Sequence, residues 1–319
     1  MPVFLTTLAK ISHLFLIILA GYVIVKVAKL PKNATAILSK LVSKLFMPAL
    51  ILSNFMENFT KERLSGSIGF FIMGVILGVI FIPLGILISK HTAKTPYLRR
   101  IHTYGLAFSN YGFMGTAVMA SIAPDVFTDY LIMATPLWIA NYSWAVPSLL
   151  MPIKGEETGA KVPIFHIELK NLANPMFVAM ALGMIIGIFS IPIPGFVGGA
   201  VSSLSGCMSP STMLLTGMCV ANIDIKRVLK IKSIYILSVL RLVVFPLMLI
   251  GAFMVLKFDN NIALSALCIL AMPLGLNSVV IPEAYGKDTS EASGMAIVSH
   301  LASAVTIPLF FAIFDMIAK

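Results

Sequence analysis

The sequence predicts an all-α polytopic membrane protein: ten transmembrane helices in two inverted five-helix repeats, with helices 4 and 9 broken and crossing. Three observations predict it. The 319 residues are 59% hydrophobic and only 11% charged, whereas a soluble domain carries about a quarter charged residues. Ten mostly apolar segments follow one another through short loops, each near the roughly 20 residues that a bilayer crossing needs. Glycines and prolines of the first five segments recur, about 160 residues later, in the second five.

The segments are 8–29, 34–56, 66–89, 101–123, 127–151, 172–191, 198–221, 231–257, 261–284 and 292–316. The run from Ile11 to about Ala28 has no Ala-x-Ala-type cleavage site, so it is expected to be a retained span and not a signal peptide. The longest loop, 152–170, separates a first repeat, 1–151, from a second, 171–319. With the N-terminus outside, 17 Lys and Arg fall on one side of the membrane and 5 on the other, with Arg241 left inside a span. Basic loops stay in the cytoplasm, so both termini are expected to be extracytoplasmic. The same rule accounts for the net charge of +10 without a nucleic-acid partner. Cys207, Cys219 and Cys268 have neither zinc-type nor disulfide-type spacing. No Ser–Lys, His–Asp or HExxH constellation suggests an enzyme, and no catalytic residue, metal or cofactor is expected.

The repeat is carried by five pairs. Gly21 and Gly183, and Pro48 and Pro210, are 162 residues apart; Pro83 and Pro246, and Asn110 and Pro273, are 163 apart; Pro147 and Pro308 are 161 apart. Five spans per repeat is an odd number, so the second repeat is inverted. Inverted repeats with paired broken helices are the architecture of secondary transporters. Span four carries 107-AFSNYGFMGTAVMA-120, and a break is expected over Asn110–Gly115. Span nine carries 272-MPLGLNSVV-280. Pro273 there removes a backbone donor, Gly275 loosens the chain, and Asn277 and Ser278 supply polar side chains. Irregular backbone at that depth is tolerated only inside protein or beside a water-filled cavity. Two such breaks, antiparallel and near the midplane, would form a site, and half-helix N-termini attract anions.

FMPALILSNF, NYGFMGTAV, RLVVFPL and MPLGLNSVVIPEAYGKD resemble segments of the bacterial auxin efflux carrier family along the whole chain. The long hydrophilic insert of plant relatives is absent. The resemblance implies a scaffold of spans 1, 2, 6 and 7, a moving transport domain of spans 3–5 and 8–10, and homodimers through the scaffold. It also implies carboxylate substrates, such as malate or malonate, in a bacterial inner membrane. The first crossover motif falls on Asn110, Tyr111 and Gly112. Tyr111 is bulkier than the usual residue, and the Pro that usually follows the second Gly is replaced by Thr116 and Ala117 after Gly115. The second motif falls on Pro273 and Asn277.

Arg241 is the one charge placed well inside a span. It has two expected partners: a substrate carboxylate bound bidentately, or backbone carbonyls freed by Pro246 or Pro273. Glu283 and His300 are the candidates for coupling to H⁺ or Na⁺. Gly74–Gly78 and Gly183–Gly187 are GxxxG pairs, which suit intramolecular packing as well as dimerisation. The expected function is alternating-access transport of small organic anions. A sodium-coupled symporter of bile-acid-symporter type and an anion channel are the alternatives.

Overall fold

The structure is a computed structural model that describes residues 2–28, 30–31, 33–152, 167–221 and 230–318. Most of the expected 152–170 linker therefore lies outside the described residues. Helices occupy each of the ten segments. They are α1 (Pro2–Ala28), α2 (Ala34–Asn58), α3 (Ile68–Thr92), α4 (Pro96–Ala107), α5 (Tyr111–Ile122), α6 (127–150), α7 (Pro175–Phe189), α8 (Gly195–Ala221), α9 (Lys232–Leu256), α10 (Asn260–Ala271), α11 (Asn277–Ala284) and α12 (Ser290–Ile317). Five of them, α2, α3, α8, α9 and α12, are long and apolar enough to cross a membrane. Among the described residues there is no strand, only one isolated β-bridge.

Helix ends follow local chemistry. Thr95 caps α4 by accepting from Leu98 N–H, and Asn174 caps α7 by accepting from Met176 N–H. Proline stands in the first turn of both helices, where no N–H is missed. Wide π-helical turns lie at Val42–Phe46 just before Pro48, at Asn141–Leu150 around Pro147, and at Leu240–Val244 just before Pro246. A proline has no N–H and its ring crowds the carbonyl four residues back, so the turn beside it is the one that opens.

Two packing groups result. α1 lies along α8 and α2 along α7, with α8 also touching α2. The second group joins α3, α4 and α6, joins α9 with α10 and α12, and brings α6 against α10. Small residues weld the first group. A Cβ on Gly21 would strike the Leu214 carbonyl, and one on Gly183 would lie 3.1 Å from the Leu52 carbonyl. An offset of 162 residues carries Gly21 onto Gly183 and Leu52 onto Leu214, and Gly21 meets Leu214 as Gly183 meets Leu52. Gly183 and Gly187 thus face α2 within the chain, and Gly74 faces the Met133 carbonyl of α6.

Candidate functional site

Two chain breaks meet inside the second packing group. The chain leaves helix over 108–110, between α4 and α5, and over 272–276, between α10 and α11. The two stretches pair at Ser109 and Leu274 as an antiparallel bridge, and the Asn110 N–H donates to the Pro273 carbonyl at 2.8 Å. Gly275 permits this approach: a Cβ there would lie 3.1 Å from the Phe108 carbonyl.

Each break strands carbonyls, and those of Ile269, Leu106 and Met272 take side-chain donors. Pro273 cannot donate to Ile269, four residues back. The Ile269 carbonyl instead accepts from Ser109 Oγ at 2.6 Å and Arg241 Nη2 at 2.8 Å. Because the Asn110 N–H is spent on Pro273, the Leu106 carbonyl loses its helical donor. It accepts from Arg241 Nη1 at 3.1 Å, while Arg241 Nε donates to the Met272 carbonyl at 3.3 Å. Arg241 is 1% exposed, in the wide turn of α9, with its guanidinium carbon 5.7 Å from the centre of the Phe245 ring. Of the two partners expected for it, the bonds present are those to carbonyls, one of them freed by Pro273.

In front of the breaks lies a small cavity of about 30 Å³, more than the roughly 10–15 Å³ that one water needs. Asn110, Tyr111, Gly112, Gly275 and Asn277 line it. Tyr104, Trp138, Asn141, Tyr142 and Met47 also line it. The lining holds no charged side chain. Asn277 Nδ2 donates to the Tyr104 hydroxyl at 3.2 Å. The Tyr111 hydroxyl and Asn141 Oδ1 are buried with no protein partner. The first turns of α5 and α11 reach the cavity with Tyr111, Gly112 and Asn277, and such turns carry N–H groups with no intrahelical acceptor.

The remaining expected residues divide. Ser278 is buried but spends its hydroxyl on the Gly275 carbonyl at 2.7 Å, away from the lining. The first break falls upstream of the expected 110–115 stretch, and Gly115 closes a wound π-helical turn, Tyr111–Gly115. Its lack of a side chain makes room for the Tyr130 hydroxyl, which donates to the Tyr111 carbonyl at 2.6 Å. His300 stands behind Asn110. Its Nδ1 donates to the Ala296 carbonyl at 2.7 Å, leaving Nε2 to accept from Asn110 Nδ2 at 3.1 Å. Glu283 is exposed at the end of α11, outside the cavity. Among the described residues no three His, Cys, Asp or Glu come together as a metal site.

The cavity residues that sequence reading missed had a signal of their own. Asn141 and Tyr142 interrupt an apolar segment much as Asn110 does. Trp138 and Tyr104 had none, since an aromatic in a membrane helix is ordinary packing until its neighbours are known.

No curated protein matches the chain. A family described as membrane transport protein matches residues 6–311, which include both breaks, Arg241 and every residue lining the cavity. The chain therefore belongs to the membrane transport protein family, that of the auxin efflux carriers.

Proposed function

We propose that this protein is a secondary active transporter of small organic anions, mono- or dicarboxylates such as malate or malonate. The observation that carries this reading is the cavity at the two breaks. It is walled by amides and hydroxyls, it faces the first turns of two half-helices, and two of its buried polar atoms lack a protein partner. A buried polar atom without a partner costs about 1–3 kcal/mol; a carboxylate oxygen accepts from the Tyr111 hydroxyl, whereas Asn141 Oδ1 is itself an acceptor and needs a donor such as a substrate hydroxyl or a water. Carboxylate oxygens accept from the amides of Asn110 and Asn277, from the Tyr111 hydroxyl and from first-turn N–H groups near Gly112. Ser278 and Gly275 shape the second turn.

The transport step is alternating access of an elevator kind. The first packing group, α1, α2, α7 and α8, serves as scaffold and dimer surface. The second, α3–α6 and α9–α12, moves with the site. Support comes from the packing within each group, although α1 also packs along α12, and from the close contacts of Gly21 and Gly183. On this reading the chain is a ten-span inverted repeat in a bacterial inner membrane with both termini outside. H⁺ or Na⁺ coupling, if used, engages His300 or Glu283. A cavity of about 30 Å³ favours a carrier over an open anion channel.

Counterflow tests the proposal. Purified protein in liposomes preloaded with unlabelled malate receives trace labelled malate outside, beside Asn110→Ala. Transient accumulation by wild type, reduced at least about tenfold in the variant, is the expected result. Equal accumulation by both removes the site from the crossover. Failure of malate and of a panel of other mono- and dicarboxylates to accumulate removes the carboxylate carrier.

A further inference from the structure

Arg241 has a second consequence, one of charge. A guanidinium stays protonated under all ordinary conditions, and this one is almost wholly shielded from solvent. All three of its hydrogen bonds go to neutral carbonyls, and no salt bridge joins it to an acid among the described residues. The other buried or half-buried charges near the second packing group are accounted for separately. His102 pairs with Glu291 at 3.0 Å, Asp129 with Arg63 at 2.8 Å, and Arg100 donates to the Ser148 and Met151 carbonyls at 3.2 and 3.1 Å. Among the described residues the crossover thus holds one positive charge with no protein counter-ion, bonded to carbonyls at both breaks, beside a cavity whose described lining is neutral.

The guanidinium bonds α4 through Leu106 and α10 through Ile269 and Met272, from its own place on α9. All three helices belong to one packing group. If that group moves as proposed above, Arg241 moves with it, together with the bound anion.

We propose that Arg241 is the travelling counter-charge of the site, so that the crossover takes a substrate bearing one negative charge and the loaded transport domain is neutral at its core. This rests on the carrier function proposed above. The empty domain then carries the positive charge, and the membrane potential acts on its return, not on the loaded step. A second substrate charge finds no partner in the lining, so a dianion loads poorly unless one carboxyl is protonated.

Voltage dependence of exchange distinguishes this from the carrier reading itself. Liposomes hold equal saturating lactate on both sides, or equal malonate at a pH where both carboxyls are ionised. Label exchange is followed at clamped potentials of zero and 100 mV. Exchange of any kind establishes the carrier. Lactate exchange independent of voltage, beside malonate exchange that is slower and changes with voltage by about fourfold over 100 mV for one full charge, is the expected pair. Lactate exchange that itself changes about fourfold overturns the proposal while leaving the carrier standing. No exchange of any carboxylate overturns both. Arg241→Lys is expected to keep lactate exchange voltage-independent, and Arg241→Gln to make it voltage-dependent. Should either variant fail to fold, the wild-type pair of substrates still decides.

Discussion

The two breaks at the centre of the molecule are made differently. In the second, a proline sits at the interruption: Pro273 has no N–H for the Ile269 carbonyl, and α10 ends at Ala271, whereas α3 and α12 run on through Pro83 and Pro308. In the first there is no proline. Phe108, Ser109 and Asn110 all carry N–H groups, and α4 stops because the Asn110 N–H is drawn to the Pro273 carbonyl. The first break is thus templated by the second, then held by side chains: Ser109 on the Ile269 carbonyl, Asn110 on His300, and Arg241 across both. The lesson is that of the two interruptions only one carries a proline. The other can be imposed by pairing, which leaves an amide side chain free to face a ligand.

The largest expected effect comes from removing the group that serves both breaks. Arg241→Met takes away three donors at once: the Leu106 and Met272 carbonyls lose theirs, while Ile269 keeps Ser109. At about 1–3 kcal/mol for each unsatisfied group, a loss of at least about 2 kcal/mol is expected, read as a fall in the thermal unfolding midpoint of the purified protein. Loss of less than 1 kcal/mol would mean that the carbonyls re-pair with backbone and that the two breaks do not depend on a common clamp.

Pro273→Ala attacks the asymmetry itself. The variant regains an N–H for the Ile269 carbonyl, so α10 is free to run on. Stability is expected to change by no more than about 1 kcal/mol, because a restored helical bond offsets the lost pairing. Exchange is expected to fall at least about tenfold, because the Asn110 N–H loses its target and the cavity wall shifts. If exchange survived unchanged, packing around the site, and not the proline, would be what breaks span nine.

The same asymmetry explains what was legible in the sequence. Pro273 and Gly275 point to the second break, expected within 272–280 and lying at 272–276, because a missing donor and a missing side chain are visible in one letter each. The first break was placed at 110–115 from its glycines and lies at 108–110, since its cause is a hydrogen bond to a residue 163 positions away. Gly115 and Gly183 answer close neighbours, Tyr130 and the α2 helix, not flexibility. Helix positions were readable throughout, because ten apolar runs of membrane length leave little choice. The role of Arg241 was readable only as a pair of alternatives. A charge in a span announces that it needs partners, but carbonyls and carboxylates satisfy it equally well on paper.

His300 sharpens the comparison at intermediate size. It orients the Asn110 amide by accepting from Nδ2 while its own Nδ1 is anchored on Ala296. The pairing fixes which way the amide faces the cavity. His300→Ala frees the amide to rotate, at about 1 kcal/mol for one neutral hydrogen bond, so the apparent affinity for substrate is expected to weaken about fivefold with little change in maximal exchange. Maximal exchange reduced at unchanged affinity would instead mark His300 as part of the moving or coupling step.

Ser109 sets the lower end. Its hydroxyl and the Arg241 guanidinium both donate to the Ile269 carbonyl, and that oxygen has two lone pairs. Ser109→Ala therefore leaves the carbonyl with a charged donor, and the loss should be about 0.5 kcal/mol, near the low end for a single hydrogen bond. The informative quantity is the pair. With Arg241→Lys in the background, the ammonium reaches fewer of the three carbonyls, and Ile269 leans more heavily on Ser109. The same Ser109→Ala step should then cost about 1.5 kcal/mol or more, a coupling of about 1 kcal/mol between residues that share one acceptor. Additive behaviour would show that Ser109 works only by pinning the strand pair at Leu274. Coupling would show that the templated break relies on the same carbonyl that proline set free, so that the two interruptions are thermodynamically one feature.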